Sequence, residues 1–410
     1  MPFGLRLKNL RNLPGPSNNP PCTSLVTVFS IFLALFASAS ITAKAATFVW
    51  TEQEIDTIEI GYGLALRDVD GDGKRDILLA DKKTIQWYQN PSWQKHIIAR
   101  DLTVRDNVCI AARDIDGDGR CEVAVGGQWN FSETIQDGAI HYLHPPVDRR
   151  DLWTPIALPH EPSTHRMHWI QASDGGYRLV VKPLRGQGNV GDEGYGLMLM
   201  TYERPEDPQQ AWTRELVSNF LHQSHNFHPV NWDTDPEEEL VVASREGVWH
   251  FDHQRGFWRA RQLTDQFAGE IRDGRLPGGR RFMVTIEPMH GTTSAIYGEP
   301  SSPLARWPRL AVLHDQLKDG HALAVDDFLG VGSDQVVVGW RGMNPRGVPG
   351  IRLYAPIDPT GAQWHETILS DASLAVEDIK AADLDGDGRP EIVAAARQTK
   401  NLRIYWNRTR

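Results

Sequence analysis

A sevenfold internal repeat constrains this chain more than any other feature. Trp50, Trp93, Trp153, Trp212, Trp258, Trp307 and Trp364 each open a short polar-to-apolar segment: WTEQEI, WQKHII, WTPIAL, WTRELV, WRARQL, WPRLAV and WHETIL. A second marker falls between these tryptophans. Three copies are nearly identical: ALRDVDGDGKRDILLA from Ala65, AARDIDGDGRCEVAVG from Ala111 and AADLDGDGRPEIVAAA from Ala381. Four are degraded and begin near Trp169, Asn231, Arg272 and Val325. Each copy reads as strand, polar turn, strand, with an Ile/Leu/Val-rich strand after the turn. Seven such units, about 52 residues apart, predict an all-β, seven-bladed β-propeller over residues 46–410. The last copy ends at Leu402–Trp406 with no Trp-led strand after it. The missing strand lies at the other end, from Trp50 to Ile55. The N-terminal strand is therefore expected to complete the seventh blade and remove an exposed sheet edge.

Residues 1–45 stand outside this pattern. Arg6, Lys8 and Arg11 make a basic start, Leu25–Ala37 is an apolar run, and Ala43-Lys44-Ala45 has the spacing of a cleavage site. Together they predict a cleaved signal peptide and a secreted or periplasmic protein. The run is shorter than a spanning helix needs, so no membrane insertion of the mature chain is expected. The formal net charge is −10, and losing the four basic residues of this segment leaves −14. An acidic chain without a basic stripe argues against nucleic acid as a partner. Nothing in the pattern sets an oligomeric state.

The repeated aspartates have the spacing of a cation loop. Hard cations such as calcium take six to eight oxygens from carboxylates and carbonyls. Asp68, Asp70, Asp72 and Asp76 alternate around Gly71 and Gly73. The set recurs as Asp114, Asp116, Asp118 and Glu122, and again as Asp383, Asp385, Asp387 and Glu391. Calcium, or magnesium, is expected in these three loops as a structural ion. The degraded loops at Asp233 and Asp327 should be weaker or empty. Cys109 and Cys121 flank one loop, and residue 109 should face about residue 127 across the hairpin. Two free thiols are expected.

On the opposite face, the starts of the first strands meet the ends of the second strands. First-strand starts supply Tyr62, Asn107, His165, His225 or His228, Glu270, His321 and Glu377. Second-strand ends supply Trp129, Lys182, Arg185, Arg245, Glu287, His290, Arg341 and Arg397. Four blades thus place a histidine at one funnel. Converging imidazoles suit zinc binding or acid–base work. Side chains alternate along a strand, so His225 and His228 are not expected to point inward together, and His225 is preferred. The chain has no G-x-S-x-G, no G-x-x-x-x-G-K-[ST] and no H-E-x-x-H pattern.

The Asp-x-Asp-Gly-Asp-Gly copies resemble FG-GAP or VCBS repeats, which build integrin-type propellers and many secreted bacterial proteins. The funnel segments Glu161–Arg166, Ser224–Phe227, Glu287–Gly291, Gly320–Ala322 and Gly339–Arg341 resemble the propeller domain of the aldos-2-ulose dehydratase family. That resemblance implies elimination of water from a keto or anhydro sugar, such as 1,5-anhydrofructose, at a metal-bearing funnel. On that reading zinc is expected at His225, His290 and His321 and the base or acid at His165, the roles being exchangeable among the four histidines. Lys182, Arg185 and Arg341 would bind sugar hydroxyls or enolate charge, and Glu287 is a further candidate catalytic residue. The family's cupin domains have no counterpart in this sequence. A non-catalytic propeller that binds a glycan or a protein is the alternative, and a polysaccharide lyase is a further one.

Overall fold

The computed structural model describes residues 49–409, apart from 191–192, 234 and 344–346. The signal peptide expected over residues 1–45 lies outside the described residues. Every regular element among the described residues is a β-strand, 28 in all, arranged as seven four-stranded antiparallel sheets. None is a helix long and apolar enough to cross a membrane.

Six blades use four consecutive strands each. The seventh is composite: Trp50–Thr57 pairs antiparallel with Asn401–Asn407, outside Glu391–Ala396 and Val376–Ala382. The closing register runs from Trp50 opposite Asn407 to Thr57 opposite Asn401. Arg403 reinforces it by ion pairs to Glu52 at 2.7 Å and Glu54 at 3.0 Å. The innermost strands are Gly63–Arg67, Cys109–Arg113, Thr164–Gln171, Phe227–Val230, Glu270–Arg275, Gly320–Asp326 and Val376–Ala382. Each packs on the next around the ring, and the last returns to the first. The chain is a seven-bladed propeller closed by its N-terminal strand.

Packing explains the two sequence markers. There are seven hydrophobic clusters, one in each gap between neighbouring blades. The second strands, such as Ile77–Ala80 and Ile392–Ala396, are sandwiched on both faces and wholly buried. The repeated tryptophans stand at the head of the outermost strands and fill these gaps. Trp153 joins the cluster between blades one and two, and its Nε1–H donates to the Arg149 carbonyl at 3.1 Å. Trp212 does the same one gap further on, with the Pro208 carbonyl at 3.0 Å. Cys109 and Cys121 are both free and buried, and Cys109 lies opposite Gly126 in the ladder.

Candidate functional site

The two faces of the ring carry different chemistry. On the loop face, the first aspartate of each motif holds its own turn. Asp68 accepts from the N–H of Gly71 and of Gly73, both at 2.7 Å. Asp114 and Asp383 repeat the pattern with Gly117 and Gly119, and with Gly386 and Gly388. These glycines all have φ near +80°, a region open to glycine and strained for other residues. The last acid of each motif crosses the loop mouth. Asp76 accepts from Val69 N–H at 2.9 Å, Glu122 from Ile115 N–H at 3.1 Å and Glu391 from Leu384 N–H at 2.8 Å.

In each loop three carboxylates have oxygens within 4.8 Å of one another: Asp68, Asp70 and Asp76; Asp114, Asp116 and Glu122; Asp383, Asp385 and Glu391. Asp72, Asp118 and Asp387 are the members of the expected sets that stay apart. Each is drawn onto the basic side chain two residues later, Lys74, Arg120 or Arg389. Burial pushes the carboxyls of Asp76, Glu122 and Glu391 up to about 7. A cation among these oxygens would hold them ionised.

On the other face the structure brings His165, His225, His290 and His321 together. Ring centroids are 4.7 Å apart for His165 and His225, 4.4 Å for His225 and His290, 4.8 Å for His225 and His321, and 4.6 Å for His290 and His321. His225, His290 and His321 have ring nitrogens within 4.8 Å of one another, a spacing that could hold one metal ion.

The local backbone explains the convergence. His165 and His321 occupy register shifts in their innermost strands, between Thr164 and Arg166 and between Gly320 and Ala322. Glu377 does the same between Val376 and Asp378. A bulge leaves one residue unpaired and re-aims its side chain. His290 sits on a tight turn where a Cβ on Gly291 would lie 2.0 Å from the Glu287 carbonyl oxygen. The same turn accepts Gly320 N–H at the Gly291 carbonyl, 3.1 Å away, which sets His290 beside His321.

Hydrogen bonds orient the rings. His225 Nδ1 lies 2.6 Å from Glu270 Oε1, and Asn226 donates to the other Glu270 oxygen at 2.7 Å. His321 Nδ1 is 2.6 Å from the Glu377 carbonyl, so that nitrogen donates and Nε2 keeps its lone pair. His290 Nδ1 is 3.4 Å from Arg341 Nη2, and its Nε2 is buried without a partner. His165 packs against Trp129 with ring centroids 4.6 Å apart and planes tilted by 32°, and both its ring nitrogens are buried and unbonded. Arg341 is clamped by the carboxylate of Glu377. Burial, then neighbouring positive groups, holds all four imidazoles well below their ordinary pKa, so they are neutral at pH 7. Burial pushes Glu270 up to about 7.

Three expected site residues bond to partners other than the imidazoles. Lys182 is fully buried, opposite Arg166 in the ladder, with its amine on the carbonyls of Pro183 and Ser224. Glu287 faces the outer strands, accepting from Thr285 and Tyr297 at 2.7 Å and pairing with Arg309. Arg185 lies over the Phe131 ring at 4.5 Å and donates to the Phe131 carbonyl. His225 and His228 both approach the axis, at different depths. His225 precedes the strand Phe227–Val230, so strand alternation does not govern it, and His228 pairs with Asp273 at 3.3 Å. Arg166, which reaches 3.4 Å from His225 Nε2, has no role among the expected site residues, and its sequence signal is adjacency to His165.

The architecture is that of a seven-bladed propeller with aspartate-bearing loops, and residues 68–125 match the family model described as FG-GAP-like repeat. A specific relative adds to this. The chain is 25% identical over 272 residues to aldos-2-ulose dehydratase of Phanerodontia chrysosporium, covering 58% of this chain and 29% of that protein. The match therefore spans less than a third of the relative's length. Among solved structures, BBS1N in complex with ARL6DN is similar with a TM-score of 0.55 at 13% identity, covering 87% of this chain and 96% of that one. A chain of the mitotic checkpoint complex gives 0.53 at 11% identity, with 93% and 98% covered. Those likenesses establish the fold alone.

Proposed function

We propose that this propeller eliminates water from a keto or anhydro sugar at a metal ion, zinc by donor type, held by His225, His290 and His321. The carrying observation is the trio of neutral, converging imidazoles. His225 and His321 have Nδ1 anchored on a carboxylate and a carbonyl, the outer partners that metal-bound histidines normally have. The similarity to a dehydratase supports the same reading. When bound, the zinc would polarise the substrate carbonyl as a Lewis acid.

The chain's own residues supply the rest. His165 has a free lone pair and takes the acidic proton next to the ketone. Its imidazolium then returns that proton to the departing hydroxyl. Water leaves and a carbon–carbon double bond conjugated to the carbonyl forms. Arg341, fixed by Glu377, stabilises the enolate oxygen. The three acidic loops hold calcium, or magnesium, as structural ions on the opposite face.

The conjugated product absorbs in the ultraviolet, so dehydration of 1,5-anhydrofructose can be followed directly. Wild type should turn over. His165→Ala should lose activity by at least about a hundredfold with an unchanged melting temperature. No turnover by wild type overturns the reaction, and full activity in the variant removes His165 from it.

A further inference from the structure

The innermost strands enclose a second space further along the axis, toward the loop face. It is a cavity of about 280 Å³, with Arg67, Arg113, Arg272 and Lys380 on its wall and Glu238 as the one acidic residue there. Glu238 is already engaged, by Arg113 at 2.5 Å and the Gln171 N–H at 2.7 Å. Lys380 is paired with Asp378 at 2.6 Å.

Among the described residues, Arg67 has no carboxylate partner and Arg272 has only a long pair with Glu270. Arg67 donates to the carbonyl of its neighbour Leu66 at 2.8 Å. Arg272 donates to the Ile271 carbonyl, with Glu270 no nearer than 3.9 Å. His168 lines the same space and touches the Phe227 ring edge-on. A wall with surplus donors and no spare carboxylate is complementary to an anion. A guanidinium fork matches an oxyanion in geometry as well as charge.

We propose that this axial cavity binds a small oxyanion, the carboxylate or phosphate of a small solute, with Arg67 and Arg272 as its charge partners. The cavity holds none of the three imidazoles proposed to hold the metal, and Arg272 links it to them through Glu270 at 3.9 Å, the partner of His225. Apolar walls from Leu64, Ala111 and Ala381 leave room for a carbon body on the anion.

The test is calorimetric titration of the full chain at low salt with glucuronate, inorganic phosphate and glucose. Either anion should bind with one site per chain and glucose should not. Glucuronate alone identifies a carboxylate ligand, and phosphate alone a phosphate. Arg272→Gln and Arg67→Gln should each weaken binding about tenfold. Arg67 is exposed at the mouth, so its variant should melt like wild type and keeps the test independent of folding. Failure of both anions to bind, equal binding of glucose, or wild-type affinity in both variants would overturn the proposal.

Discussion

Asp81 shows how much one carboxylate can organise. It is buried, and its oxygens accept from three consecutive backbone N–H groups, Glu59 at 2.9 Å, Ile60 at 2.7 Å and Gly61 at 3.1 Å. This is the link that carries the chain from the closing strand into the first blade. Asp81→Ala strands those donors and removes a charge-assisted set, so it should cost about 3 kcal/mol. Urea denaturation measures this, and a variant as stable as wild type would remove the anchor from the account. At the funnel the same scale explains what sequence pattern can and cannot reach. His165, His225, His290 and His321 are legible because histidines at corresponding strand ends of four blades are a local signal. The bulges that aim His165 and His321 are not legible, because a one-residue slip leaves no mark in the apolar pattern. Lys182 and Glu287, which also sit at strand ends, bond to backbone carbonyls and to outer-strand side chains rather than to the imidazoles.

At the scale of elements, the aspartate hairpins are the most legible parts of the fold. Loop, flanking strands and glycines all come from one short window, so spacing alone places them. The departure of Asp72, Asp118 and Asp387 from the clusters follows from the basic residue two positions later, a competition that spacing does not rank. These hairpins predict a pH dependence with a definite sign. Asp76, Glu122 and Glu391 titrate near 7 in the ion-free fold, against 3.8 or 4.5 when unperturbed. The folded state therefore binds more protons than the unfolded chain between about pH 4 and 7. In chelator, this contribution to stability is present at low pH and is lost as pH rises through 7. Calcium favours the ionised form and should reverse the trend. The gain in melting temperature on adding calcium should be larger at pH 8 than at pH 6. An equal gain at both, or none, would contradict calcium at these carboxylates.

For the whole molecule, closure is the decisive property. Without Trp50–Thr57 the seventh sheet would expose the edge of Asn401–Asn407, and the ring would lose the ion pairs of Arg403. Neighbouring blades share every hydrophobic cluster, so damage at one seam weakens both adjoining blades. Deleting residues 46–56 should lower the melting temperature of the entire chain in one transition, and an unchanged melt would refute the closing role. Closure also brings the distant segments of the funnel to one axis, so the proposed zinc site, with ligands from blades four, five and six, would exist only in the folded ring. The central claim is that His225, His290 and His321 form that site. Its most direct test is metal content by mass spectrometry on protein purified without chelator, alongside His290→Ala and His321→Ala. The account predicts about one zinc per wild-type chain and its loss from both variants, with loop calcium unchanged. Wild type without zinc, or zinc retained in both variants, would contradict it.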